Sequence, residues 1–332
     1  MKRLETLAII AHDMGVIFEF LGVITLVPLL VLVIFGEWEM VVPMASVPLT
    51  FVILGLLISR IPRREFVPQL SVALAAVALV WLVIALVGSL PFVLGLQMSW
   101  TDSIFEAMSG WTDSGITMIR SLDTTPNVIL FYRSFMQWIG GMGVIAFGIA
   151  MLSRSSLTQH QLYRSEGRSE DLMPNVVSTG RRMWVIYLFL TVAFTGMVML
   201  SGIPLWDAIN LAMVGIATGG FSVHDAGISY YDNVILEALI IPVMIAGALP
   251  FKLYFFMYRG RIKPFFQDRV VWLILSLILV GSLVVTLDLH VFNSFPLETA
   301  VRQGVFCTAS AVTSTGFQNS DLHWVPGPLI VI

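Results

Sequence analysis

Long apolar runs separated by short polar stretches set the pattern of this chain. A helix that crosses a ~30 Å hydrocarbon core needs about 20 apolar residues. Runs of that kind fall at 7–35, 43–59, 67–95, 128–152, 183–203, 233–258 and 269–293. An eighth starts near Pro326, and the sequence ends inside it at Ile332. Three shorter, semi-polar segments lie between them, near 101–119, 206–222 and 297–318. Each is too short and too polar to cross, which suits a loop that enters the membrane and returns.

The three short segments repeat one another. The first ends Gly-Trp-Thr-Asp-Ser-Gly at Gly115, the second Ile-Ala-Thr-Gly-Gly at Gly220, the third Val-Thr-Ser-Thr-Gly at Gly316. A polar residue (Asp102, Asp207, Gln303) stands 13 positions before each glycine, and the glycines are 105 and 96 residues apart. One Ser/Thr/Gly cluster marks an ordinary surface turn. Three at matched offsets mark a built feature, a repeat of span, short helix, glycine loop and span.

Composition agrees with a membrane chain. Charged residues make up 12% of the 332 residues, about half the ~25% usual in soluble proteins, and mean hydropathy is +0.89. Fifteen of the 18 Lys and Arg residues fall at the N-terminus and at 60–64, 154–182 and 252–269. Only Arg120, Arg133 and Arg302 fall on the other side, which predicts a cytoplasmic N-terminus and three outward-facing short segments. The N-terminal run carries Asp13 and Glu19 and has no small-residue cleavage site, so it reads as a retained membrane helix. The net charge of −3 and the scattered cations give no nucleic-acid surface. Cys307, the single cysteine, excludes an internal disulfide.

The chemistry is in the loops. A half-helix that ends inside a membrane points its partly negative C-terminal end inward, where it favours a cation. The Thr-x-Gly strand that follows exposes backbone carbonyls, and glycine permits the positive φ needed to turn one inward. Such carbonyls can replace the hydration shell of a potassium ion.

At this point the residues carry a family resemblance. Residues 105–110 (Phe-Glu-Ala-Met-Ser-Gly), 133–143 (Arg-Ser-Phe-Met-Gln-Trp-Ile-Gly-Gly-Met-Gly), 217–222 (Ala-Thr-Gly-Gly-Phe-Ser) and 313–317 (Thr-Ser-Thr-Gly-Phe) resemble the pore-forming subunits of the Trk/Ktr/HKT potassium-transporter superfamily, in its TrkH type. Residues 161–166 and 172–174 are similar to that type as well. The resemblance implies an all-α polytopic membrane protein in which two N-terminal helices (1–64) precede membrane–pore loop–membrane units in a pseudo-fourfold arrangement. The units are 65–180 and 181–268, each with a cytoplasmic linker, and 269–332, cut at the start of its second helix. The fourth unit is missing, so the chain is expected to be a C-terminal truncation of a longer protein.

The implied function is potassium uptake across a prokaryotic cytoplasmic membrane. Its selectivity filter would comprise Thr112, Asp113, Ser114 and Gly115; Ala217, Thr218, Gly219 and Gly220; and Thr313, Ser314, Thr315 and Gly316. Potassium would bind backbone carbonyls near Gly115, Gly220 and Gly316, as transported ion rather than cofactor. Asp113 stands where the family more often has Thr. The implied partners are the lipid bilayer, a second copy in a homodimer, and a cytoplasmic nucleotide-binding regulatory subunit. A Na⁺- or H⁺-coupled potassium symporter and a non-transporting membrane scaffold are the alternatives.

Other residues carry less. Residues 141–146 fit G-x-G-x-x-A, but no strand precedes them in this apolar run, and close helix approach explains them better. Arg133 is either a functional cation near the outer mouth or an arginine reaching for headgroups. Asp102, Glu106 and Asp207 can concentrate cations outside the filter or serve short helices as early acidic residues. Asp13 and Glu19 are intramembrane carboxylates on a helix outside the expected pore. The five histidines show no ligand spacing, and no catalytic constellation is present, so an enzyme is not expected.

Overall fold

The computed structural model describes residues 2–61, 70–143 and 176–320. All regular structure among them is helical. The part of the expected 128–152 span beyond 143, the linker stretches 161–166 and 172–174, and the segment from Pro326 lie outside the described residues. Five helical stretches are long and apolar enough to cross a membrane: Met14–Phe35, Trp38–Ser59, Leu74–Leu96, Arg182–Met199 and Arg269–Phe292. The chain divides into two compact units. The first comprises Met1–Thr112, Thr117–Arg120 and Thr125–Val185; the second comprises Asp113–Ile116, Ser121–Thr124 and Ile186–Ile332.

In the first unit, α1 (Lys2–Ile24) lies along α3 (Val41–Ser59). With lipid outside, no hydrophobic gain drives two apolar helices together, so close backbone packing through small residues does the work. A Cβ added to Gly55 would sit 2.6 Å from the Glu19 backbone nitrogen and 2.9 Å from the Gly15 carbonyl oxygen. The half-buried Glu19 carboxylate accepts a hydrogen bond from the Ser59 hydroxyl at 2.5 Å and so ties two helices together. Between them, α2 (Val27–Phe35) ends at Gly36 in the left-handed region, with φ of 69°.

The helices α4 (Leu70–Gly88) and α5 (Leu90–Leu96) form one apolar stretch with α6 (Trp100–Trp111) beyond it. Ser99 caps α6, its hydroxyl accepting from the Asp102 amide at 3.1 Å. Gly88 leaves room for Trp111, and its carbonyl accepts from the Tyr132 hydroxyl at 3.1 Å. Tyr132 belongs to α7 (Asn127–Gly141), whose first residues have no cap of their own. Glu37 supplies one from 90 residues away, accepting from the Asn127 and Val128 amides at 2.7 and 2.8 Å. A carboxylate at a helix N-terminus offsets its partial positive charge.

In the second unit, α8 (Val176–Met199, entering from the first unit) leads to α9 (Leu205–Ala217). Then follow α10 (Val234–Ala248), capped by Asn233, and α11 (Phe251–Tyr258). The apolar run 233–258 is not straight: α10 and α11 meet at 99°. The cause is local. Leu249 precedes Pro250, which disfavours helical dihedrals there, and Leu249 is extended at φ −80° and ψ 145°. The Tyr254 hydroxyl donates to the Ala246 carbonyl at 2.5 Å across the bend. After α12 (Lys263–Gln267), the long α13 (Arg269–Leu287) packs on α14 (Leu297–Val312), where Gly304 leaves space for Thr286. Leu273, Leu279, Val280 and Leu283 on α13 are exposed, as expected of a helix facing hydrocarbon.

The tight α1–α3 contact generates a prediction. Gly55→Val places a branched side chain against backbone that cannot yield, and overpacking of this kind costs about 1–3 kcal/mol. The thermal unfolding midpoint of the detergent-purified protein should fall, while Ile53→Val, at an exposed position of the same helix, should leave it within error.

Candidate functional site

Each of the three semi-polar segments folds as a short helix running into a glycine loop. The helices are α6, α9 and α14, and none is long enough to cross a membrane. All three loops take the same backbone path. Asp113, Thr218 and Ser314, each two residues before its glycine, have φ of 56–57°. Gly115, Gly220 and Gly316 follow at φ of 71°, 81° and 80°. Positive φ is ordinary for glycine but strained for Thr and Ser. Matched strain at three equivalent positions marks a site rather than a defect.

The helix ends are equivalent too. At α9 the Thr218 amide donates to the Gly215 carbonyl and the Gly219 amide to the Val214 carbonyl, at 3.2 and 3.0 Å. At α14 the Ser314 amide donates to Ala311 and the Thr315 amide to Ser310, both at 2.9 Å. These left-handed caps satisfy carbonyls of the last helical turn.

The loops converge. A Cβ on Gly115 would sit 2.3 Å from the Gly219 carbonyl oxygen, and one on Gly220 would sit 2.3 Å from that of Thr315. Gly115 and Gly220 thus each face the carbonyl of the next loop at a distance no other residue type permits. Gly316 has only the Gly220 Cα nearby, at 3.8 Å. Ser314 and Gly316 are exposed, while Thr313 and Thr315 are buried with their hydroxyls 2.8 Å apart. Thr112 and Ser114 are exposed, Asp113 is half-buried, and Ala217 and Gly219 are buried. Gly247 of α10 lets that helix press on the end of α9, since a Cβ there would lie 2.5 Å from the Ile216 oxygen.

Beyond each glycine the strand meets a buried acid, and these contacts are where sequence reasoning fell short. Glu106 is fully buried rather than placed to gather cations outside. Its carboxylate accepts from the Thr117 hydroxyl (3.1 and 3.0 Å), the Met118 amide (2.6 Å) and Arg133 Nε (2.7 Å). Arg133, 1% exposed, reaches for that carboxylate and not for headgroups. Asp207 lies 3.8 Å from His224 Nε2, while His224 Nδ1 is 3.0 Å from Asp123 and its ring lies flat on Tyr230 at 3.6 Å. Glu237 of α10 accepts from Arg302 (2.7 Å) and from Asn319 Nδ2 (3.0 Å). The one available signal was the presence of Arg133 and Glu237 within apolar runs, since a charge in such a run is paired or functional.

The arrangement suits an alkali cation: neutral carbonyl oxygens, short helices ending beside them, and backbone fixed by its surroundings. Among the described residues, no group of three or more His, Cys, Asp or Glu side chains could hold a metal ion.

Apolar spanning helices interleaved with short helices that feed carbonyl-bearing loops define a membrane protein of the ion-transport class. Comparison gives the family. Residues 49–331 match the TrkH family, described as cation transport proteins, and the chain belongs to that family. It is 32% identical over 312 residues to an uncharacterized cation transporter of Methanocaldococcus jannaschii, covering 93% of this chain and 62% of that protein. It is 32% identical over 334 residues to the Trk system potassium uptake protein TrkH of Halomonas elongata, covering 98% and 69%. The crystal structure of the potassium transporter TrkH from Vibrio parahaemolyticus superimposes with a TM-score of 0.84 at 30% identity, over 98% of this chain and 68% of that one. The chain therefore spans about two thirds of the length of these relatives.

The Asp225 carboxylate generates a second prediction. The exposed Asp225 carboxylate accepts from the Leu122 amide at 2.6 Å and the Ser121 hydroxyl at 3.0 Å, and the Leu122 bond chiefly holds its pKa below the usual aspartate range. With the folded value below the unfolded one, the contribution is complete above the unfolded pKa of ~3.9 and is lost as pH falls through the folded value. Hydrogen-exchange protection at the Leu122 amide should therefore decline in strong acid, and Asp225→Asn should show reduced protection already at neutral pH.

Proposed function

We propose that the protein takes up potassium across a prokaryotic cytoplasmic membrane, through a pore whose filter is formed by the carbonyls of 112–115, 217–220 and 313–316. The observation that carries this reading is the convergence of three loops with one backbone conformation, Gly115 and Gly220 each set against the next loop's carbonyl. The names of the Halomonas elongata and Vibrio parahaemolyticus relatives point to the same ion. A potassium ion would shed water for carbonyl oxygens at Gly115, Gly220 and Gly316, with the negative ends of α6, α9 and α14 favouring a cation there.

In this reading 65–180, 181–268 and 269–332 are repeats around one axis, preceded by helices in 1–64. The relatives' extra length leaves room for a fourth. The N-terminus is cytoplasmic, with the Lys and Arg residues of 154–182 and 252–269 on the same side. That basic face suits a soluble nucleotide-binding regulatory subunit, and the pore works as a homodimer. Coupled symport with Na⁺ or H⁺ fits less well: of Asp13 and Glu19, the two acids that the first span offers such coupling, Glu19 is engaged by Ser59.

Radioactive rubidium uptake into liposomes carrying the native protein, competed by K⁺ or Na⁺, tests the proposal. Gly115→Ser and Gly220→Ser each force a Cβ into a carbonyl and oppose positive φ, so preference for K⁺ over Na⁺ should fall about tenfold, equivalent to ~1.4 kcal/mol. Unchanged preference in both variants would overturn carbonyl selection. Independence of uptake from Na⁺ and H⁺ gradients separates a channel from a symporter. Asp113→Thr removes a charge beside the first glycine. It should slow uptake more at 10 mM salt, where the Debye length is about 30 Å, than at 1 M, where it is about 3 Å.

A further inference from the structure

We propose that Glu106 and Glu237 are positioning residues for ion selection, each holding the segment that leaves one of the glycines, Gly115 and Gly316. The proposal rests on the filter reading above. The hydrogen bonds fall two or three residues beyond the glycine in both cases: Thr117 and Met118 after Gly115, and Asn319 after Gly316.

The acids do not come from equivalent places. Glu106 stands on the short helix of its own repeat, nine residues before the glycine. Glu237 stands on α10 and reaches the strand that follows α14, 82 residues further on. Simple copying of a repeat would put one residue at one offset. Unequal positions arriving at the same contact indicate a shared geometric need.

That need follows from the peptide plane. The amide of Met118 and the carbonyl of Thr117 belong to one trans peptide and point in opposite directions. Bonding the amide to Glu106 at 2.6 Å therefore aims the Thr117 carbonyl away from Glu106. Asn319 does the corresponding work through its side chain, which donates to Glu237. Arg133 and Arg302 supply the counter-charges, which offset the cost of burying Glu106 and Glu237.

Removing Glu106 would strand the buried Arg133, and removing Glu237 would take a partner from Arg302, so the test cuts the other side of each contact. Asn319→Leu deletes the donor to Glu237 and leaves the Glu237–Arg302 pair in place. Thr117→Val deletes a hydroxyl and leaves Glu106–Arg133 in place. Both are compared with Gly220→Ser in liposomes, reading the K⁺ to Na⁺ preference separately from the maximal uptake rate. Asn319→Leu should lower the preference about tenfold, the lower end of what loss of an outer partner does to a metal ligand, with Thr117→Val shifting it in the same direction. An unchanged preference in both, with Gly220→Ser impaired, overturns the positioning role and leaves the filter reading standing. If Gly220→Ser also leaves the preference unchanged, both readings fall. Should Asn319→Leu not reach the membrane, Thr117→Val alone decides.

Discussion

Carbonyl oxygens that face one another repel, and hydrocarbon offers no solvent to relieve an unbonded backbone. Most of the second unit is arranged around this difficulty. The loops at Gly115, Gly220 and Gly316 bring carbonyl-bearing backbone into van der Waals contact, with no room for a Cβ on Gly115 or Gly220. Such an arrangement persists only if the backbone conformation is fixed from outside the loop. The fold fixes it at both ends. Left-handed caps on the short helices hold the near side, and buried carboxylates hold the far side.

The supporting helices are organised to the same end. Gly247 lets α10 press on the last carbonyls of α9, and Gly304 brings α14 against α13. Within the first unit, Glu37 caps α7, and that helix presents Arg133 to Glu106. Breaking a buried pair of this kind costs about 3–5 kcal/mol, because one charge is left uncompensated. The ion pairs therefore govern whether the strands can hold their place, even where a hydrophobic pair would give equal stability.

Much of this was legible in the sequence. Three semi-polar segments too short to cross became α6, α9 and α14, and the matched glycines marked loops that now lie side by side. Backbone rules made that possible, since only glycine suits the approach between loops. The left-handed Asp113, Thr218 and Ser314 were not legible, because their side chains tolerate many conformations and strain comes from the surroundings. Partner choice was also hidden. Glu106 and Arg133 are 27 residues apart, Glu237 and Arg302 65, and only the fold decides that they meet. The bend at Pro250 had a local cause in plain view, yet a long apolar run reads as one helix when hydropathy alone is followed.

The central claim is that an alkali cation sits among the backbone oxygens of these loops. Anomalous diffraction from crystals of the native protein grown in rubidium or thallium salts tests it most directly. A peak is expected beside the carbonyls of Gly219 and Thr315 and next to Gly115, and replacing the salt with sodium should abolish it. A peak confined to acidic side chains, or no peak near the three glycines at a rubidium concentration that supports uptake, would contradict coordination by the loop carbonyls.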